Sequence, residues 1–159
     1  SEMAQVLKGF EPKELGVIVE LMKNILVNMK EKREERWNKQ LMPFFRFCWP
    51  EGPRYCDEYL SQSLASLCIE SRELFEIVFE EVQYGISEIL FPDVIFVNLD
   101  ESGLCNEFPD AALGLMAAVV GPNTRIQIPE RFKACLMKIT QSKPSLESSK
   151  RYRNLHARI

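Results

Sequence analysis

Three stretches of this chain follow one plan, and that recurrence limits the fold more than any single motif does. LMKNILVNMKEKREERWNKQLMPFFRFC begins at Leu21, SLASLCIESRELFEIVFEEVQYGISEIL at Ser63, and GLMAAVVGPNTRIQIPERFKACLMKI at Gly114. Each opens on a compact apolar helix face, crosses a polar or bent middle, and finishes on a short apolar helix. Ile25, Leu67 and Val119 hold equivalent places, 42 and 52 residues apart. A period in the forties is what stacked units of two or three helices produce, because one unit cannot bury its apolar face alone. A chain of 159 residues supplies about three such units, enough to remove roughly 70% of the unfolded surface from water.

The helical spacing is visible inside each unit. Val19, Met22, Ile25, Leu26 and Met29 recur at intervals of three and four and are assigned to one face. EKREER, 31–36, reads as a solvated charge run. LMPFFRFCW follows at 41–49, with Pro43 suited to a first helical turn, where its missing N–H does no harm. PEGP, 50–53, closes the unit. Asp57 is the expected N-cap of the second unit. Leu60, Leu64, Leu67 and Cys68 form its first face, Leu74, Ile77, Val78 and Val82 continue it, and Ile86, Ile89 and Leu90 end it. FPDVIFVNLDESGLCNEFPD, 91–110, has a different texture, with a β-favouring run from Val94 to Val97 between breakers. It is expected to be a non-helical insertion or interaction loop. The expected division is a leading segment 1–14, a helical domain 15–140 with units at 15–52, 57–91 and 109–140 around an insertion at 92–108, and a basic, flexible tail 141–159.

This recurrence resembles armadillo repeats, in which a helix, a sharp bend, a second helix and a longer third helix recur; HEAT-type stacked hairpins are a close alternative. The third-helix candidates are 41–49, 82–90 and 130–139, with the family's glycine before the third helix at Gly85. The resemblance implies an all-α, short right-handed superhelical stack of about three units with one non-helical insertion. It also implies a concave groove, lined by third helices, that grips extended peptides or partner helices.

Site chemistry is sparse. GPNTR, 121–125, carries one glycine and lacks the Gly-Lys-Ser/Thr of a phosphate loop. It reads as a bend: Gly121 caps one helix, Pro122 stops it, and Asn123 or Thr124 caps the next. The single histidine, His156, sits in the tail, away from any rigid scaffold a nucleophile would need. Asp100 and Glu101 beside Gly103 are the one carboxylate pair that a loop could bring together, and turn chemistry explains them more simply. Five cysteines (48, 56, 68, 105 and 135), odd in number and without CxxC spacing, read as reduced core thiols of an intracellular protein. No cofactor, metal or membrane partner is expected; a net charge of −3 argues against a surface wholly given to nucleic acid.

The expectation is therefore a non-enzymatic protein-interaction module, a scaffold or adaptor belonging to a larger protein or complex. It would bind a peptide or helix of a protein partner, an acidic one if the basic residues form a strip. The contact residues singled out are Arg46, Trp49, Gln83, Arg131 and Lys138, with 91–110 as a second contact; Trp and Arg are frequent carriers of interface energy. The competing reading is nucleic-acid binding through the tail, using Lys143, Lys150, Arg151, Arg153 and Arg158 with Tyr152 as a stacking residue.

Overall fold

The computed structural model describes residues 12–49, 57–122 and 126–159, and among them the chain is helical with no strand. Helix α1 runs Pro12–Asn28, with proline at its first position. Leu15, Val19, Met22, Leu26 and Met29 are buried, a stripe at helical spacing that packs along α4, Glu58–Glu70. Ile25 does not share that stripe: it is 48% exposed. Leu26 takes the inward position, and neighbouring residues on a helix point about 100° apart.

Residues 33–48 form one helical run: α2 Arg33–Arg36, a π turn Trp37–Leu41, and α3 Met42–Cys48. The Met42 N–H donates to the Trp37 carbonyl, five residues back, and Pro43 follows in the first turn of α3. A wider turn next to a residue that has no N–H to give avoids forcing its ring into a regular helix. The charge run is solvated with one exception. Arg33 makes two 2.8 Å bonds to the Glu73 carboxylate and reaches the carbonyls of Glu70 and Ser71, at the end of α4.

Asp57 caps α4, accepting from the Leu60 N–H at 2.8 Å. Leu60, Leu64, Leu67 and Cys68 are all buried. A 3₁₀ turn, Arg72–Leu74, leads into α5, Phe75–Val82, which buries Val78 and Val82 in register with Leu74. The expected third helix at 82–90 is absent. After a 3₁₀ turn at Gln83–Gly85 the backbone turns extended at Ile86 and forms no regular element to residue 90. Its N–H groups find partners one by one: Ser87 donates to Ser61 Oγ, Ile89 to the Val119 carbonyl, and Leu90 to Glu58 Oε1. Ile86 and Ile89 still bury their side chains, while Leu90 does not.

The largest correction concerns the insertion, which is helical: α6 Asp93–Glu101 and α7 Leu104–Glu107. Ile95, Phe96, Leu99, Leu104 and Cys105 are buried. Burial at helical spacing overrides the β preference of Val94–Val97, since β propensity mainly measures fit to a half-buried pleated surface. Gly103, at φ 79°, makes the sharp turn between the two helices.

Helix α8, Pro109–Val120, is buried almost all round, and with α4 it forms the centre of the molecule. Gly114 sits where α5 crosses it; a Cβ there would come within 2.7 Å of the Phe79 ring. Gly121 ends α8 at φ 61°, its N–H donating to the Ala117 carbonyl. Asn123–Arg125 lie outside the described residues, as do PEGP and Cys56. The following helix, α9 Glu130–Ser142, starts at Pro129, later than a cap at Asn123 or Thr124 would place it.

The tail is ordered helix rather than a fraying end. A 3₁₀ turn, Pro144–Ser148, precedes α10, Lys150–His156, which Ser149 caps by accepting from the Tyr152 N–H. Leu155 is buried against the core, and Arg158 donates to the Gly121 carbonyl at the end of α8.

Candidate functional site

The five contact residues singled out from sequence do not share one surface strip. On α3, Arg46 forms a two-bond ion pair with Glu81 of α5, at 2.7 and 3.1 Å. Hydrogen bonding to Glu81, and then its charge, raise the guanidinium's already high pKa. Trp49 is half-buried and packs edge-on against Phe45, ring centroids 4.7 Å apart. Gln83 folds back onto the Glu80 carbonyl at 3.2 Å.

Arg131 and Lys138, two turns apart on α9, converge on Asp100 of α6. Arg131 Nη1 donates to Asp100 Oδ2 at 2.6 Å. Lys138 Nζ lies 2.7 Å from Oδ1 and donates to the Asp100 backbone carbonyl at 2.9 Å. The Lys138–Oδ1 contact is an ion pair off the hydrogen-bonding direction, so Oδ1 itself receives no well-aligned bond. Burial pushes the Asp100 carboxyl up, but the close ammonium of Lys138, the hydrogen bond from Arg131 and the charges of both outweigh it and hold it below its usual range. Asp100 and Glu101 end a helix rather than forming a loop site: Glu101 is exposed, 3.8 Å from Arg131. No group of three metal-ligating side chains occurs among the described residues.

Arg46, Arg131 and Lys138 are thus each engaged in an ion pair within the chain. What Arg131 and Lys138 do is hold α6. Beside them Phe96 meets Phe132 edge-on, centroids 5.3 Å apart. The Cys135 thiol points at the Phe96 carbonyl, 3.7 Å away. Contact with Cys105, then burial, raise the Cys135 pKa far above that of a free thiol, which suits a packing role.

The other side of α6 faces a cleft of about 260 Å³. Glu20 of α1 forms one wall. Tyr59, Gln62, Ser63 and Ser66 come from α4, and Phe91, Val94, Ile95 and Asn98 from α6 and the residues before it. Three of its lining side chains are exposed and largely apolar: Phe91 is 78% exposed, Val94 68% and Tyr59 48%. Gly16 leaves room for the Tyr59 ring to lie on α1, since a Cβ there would stand 2.6 Å from ring carbon Cδ1. Among the described residues the one charged residue lining the cleft, Glu20, is paired with Lys23 at 2.6 Å, and Lys23 also reaches Ser66 Oγ at 3.4 Å. The carboxamides of Gln62 and Asn98 make no hydrogen bond to a described residue.

Sequence reasoning names 91–110, and with it Phe91, Val94 and Asn98, as a second contact, but does not join Tyr59 and Gln62 to it. A signal was present: once 93–101 is helical, Ile95, Phe96 and Leu99 claim the interior, and Val94 is left outside. Of the tail residues read as a nucleic-acid surface, Lys150, Arg151, Tyr152 and Arg153 lie on α10 and Arg158 just past it, while Lys143 at the end of α9 is paired to Asp110 at 2.7 Å. His156 is exposed and stacks on Tyr152, centroids 5.6 Å apart. Among the described residues no helix is long and apolar enough to cross a membrane, and Cys48, Cys68, Cys105 and Cys135 are buried free thiols.

The chain matches no protein-family model, no curated protein and no solved structure.

Proposed function

We propose that this chain is a non-catalytic protein-interaction module that holds a short, uncharged, apolar-anchored segment of a partner protein in the cleft between α1, α4 and α6. The observation that carries the reading is that the exposed side chains of Phe91, Val94 and Tyr59 line a concave surface whose one charge among the described residues, Glu20, is already paired with Lys23. An apolar side chain entering the cleft gains about 25 cal/mol for each Å² it removes from water. A charged one would be desolvated without a free counter-ion. The stacked helical units act as a rigid support, as the armadillo and HEAT-type resemblance implies, with the cleft replacing a groove of third helices.

The test is selection from a displayed random-peptide library on the whole chain, with Phe91→Ser/Val94→Ser as the parallel bait. Both residues are exposed, so the variant keeps its fold. The expected peptides carry neutral apolar anchors and bind the variant at least about tenfold more weakly, as loss of a buried anchor predicts. Peptides that bind both baits equally, or that are uniformly acidic, would sink the reading.

A further inference from the structure

Resting on that reading, we infer that the cleft takes its partner segment as an extended strand whose backbone is hydrogen-bonded by the carboxamides of Gln62 and Asn98. Gln62 stands on α4 and Asn98 on α6, and both line the cleft. Each carboxamide offers an N–H donor and a carbonyl acceptor side by side, the same pair that one residue of an extended peptide presents on its edge. Neither bonds to a described residue, and Gln62 is exposed and Asn98 half-buried. In the free protein water satisfies them; under a bound segment they need a partner, because a shut-in amide left unbonded is costly.

A helical segment is a poor fit on two counts. Its backbone N–H and C=O groups are bonded within the helix, so the carboxamides would meet only side chains. It also recognises grooves through anchors at i, i+3, i+4 and i+7, whereas about 260 Å³ admits one or two side chains. An extended segment sends alternate side chains to opposite sides. It therefore places an anchor in the cleft, the next residue outward and a second anchor two residues on. Glu20 and Lys23, already paired, select against charge at both anchors.

The experiment uses two displayed libraries on the intact chain, one of unconstrained linear peptides and one built on a helix-stabilised scaffold. Baits are the wild type, Phe91→Ser/Val94→Ser, and Gln62→Ala/Asn98→Ala. The expected result is linear peptides with apolar residues at i and i+2, lost on the Phe91/Val94 variant. The double carboxamide variant should weaken them about 25-fold, at the usual worth of one hydrogen bond, about fivefold, for each side chain removed, and N-methylation of one peptide backbone amide should weaken them about fivefold. Cleft-dependent helical peptides with three- and four-residue anchor spacing, indifferent to Gln62 and Asn98, would overturn this inference and leave the interaction reading standing. Absence of any peptide sensitive to the Phe91/Val94 variant would overturn both.

Discussion

Replacing Phe96 by alanine tests whether residues 93–101 belong to the core, on which the cleft's shape depends. Phe96 is fully buried and lies edge-on to Phe132 at 5.3 Å. Truncating a buried phenylalanine costs about 3–5 kcal/mol, of which an edge-to-face pair accounts for about 0.5–1.5. The position has no solvent-exposed side into which the cavity can open, so a loss of about 4 kcal/mol is expected. For a chain of this size that lowers Tm by about 8–16 °C. Val94→Ala, about 200° away around the same helix and on its exposed side, should change stability by less than about 0.5 kcal/mol. Urea unfolding followed by far-UV circular dichroism measures both, and an unchanged urea slope shows that the same surface is exposed on unfolding. A Phe96→Ala loss below about 1 kcal/mol, close to that of Val94→Ala, would refute the packing argument.

Three further outcomes are expected. The ion pairs on Asp100 lower its pKa, so the stability they contribute is present above the ordinary carboxyl value of 3.8 and is lost as pH falls through the lower folded-state value. Asp100→Asn should therefore be less stable than wild type at neutral pH, with the gap narrowing in acid; a constant gap from about pH 6 to pH 2 in urea titrations would contradict this. Leu155→Ala should cost about 2 kcal/mol because α10 docks through that side chain, and unchanged thermal unfolding would mean that the tail is loose after all. Burial raises the Cys68 pKa far above that of an exposed thiol. Mass spectrometry after maleimide treatment of the native protein should find it unlabelled until urea is added; rapid native labelling would contradict its place in the core.

Much of the helical skeleton was legible because it obeys local rules. Asp57 caps where a short acidic side chain before an apolar period should cap, Gly121 ends α8 with the left-handed φ that glycine tolerates, and Leu60, Leu64 and Leu67 fall on one face. The errors have physical causes too. Val94–Val97 reads as strand from composition, yet Phe96 and Leu99 are three apart on a helix and the interior claims both. Ile86 and Ile89 look like a continuing helix, but side chains from α4 and the Val119 carbonyl satisfy an irregular backbone there. Arg131 and Lys138 look like a free basic face until α6 brings Asp100 beneath them, a long-range meeting that spacing along the chain does not encode. The cleft was illegible for the same reason: Glu20, Gln62 and Asn98 lie in three helices, and only packing brings them together.

The most direct test of the cleft is a ¹⁵N–¹H NMR titration of the intact, isotopically labelled chain with a peptide selected on it. The expected shift changes gather at Tyr59, Gln62, Ser66, Phe91, Val94 and Asn98, and include the side-chain amide signals of Gln62 and Asn98. Changes centred instead on Arg46, on Arg131 and Lys138, or on the basic residues of α10, with the cleft silent, would contradict the account.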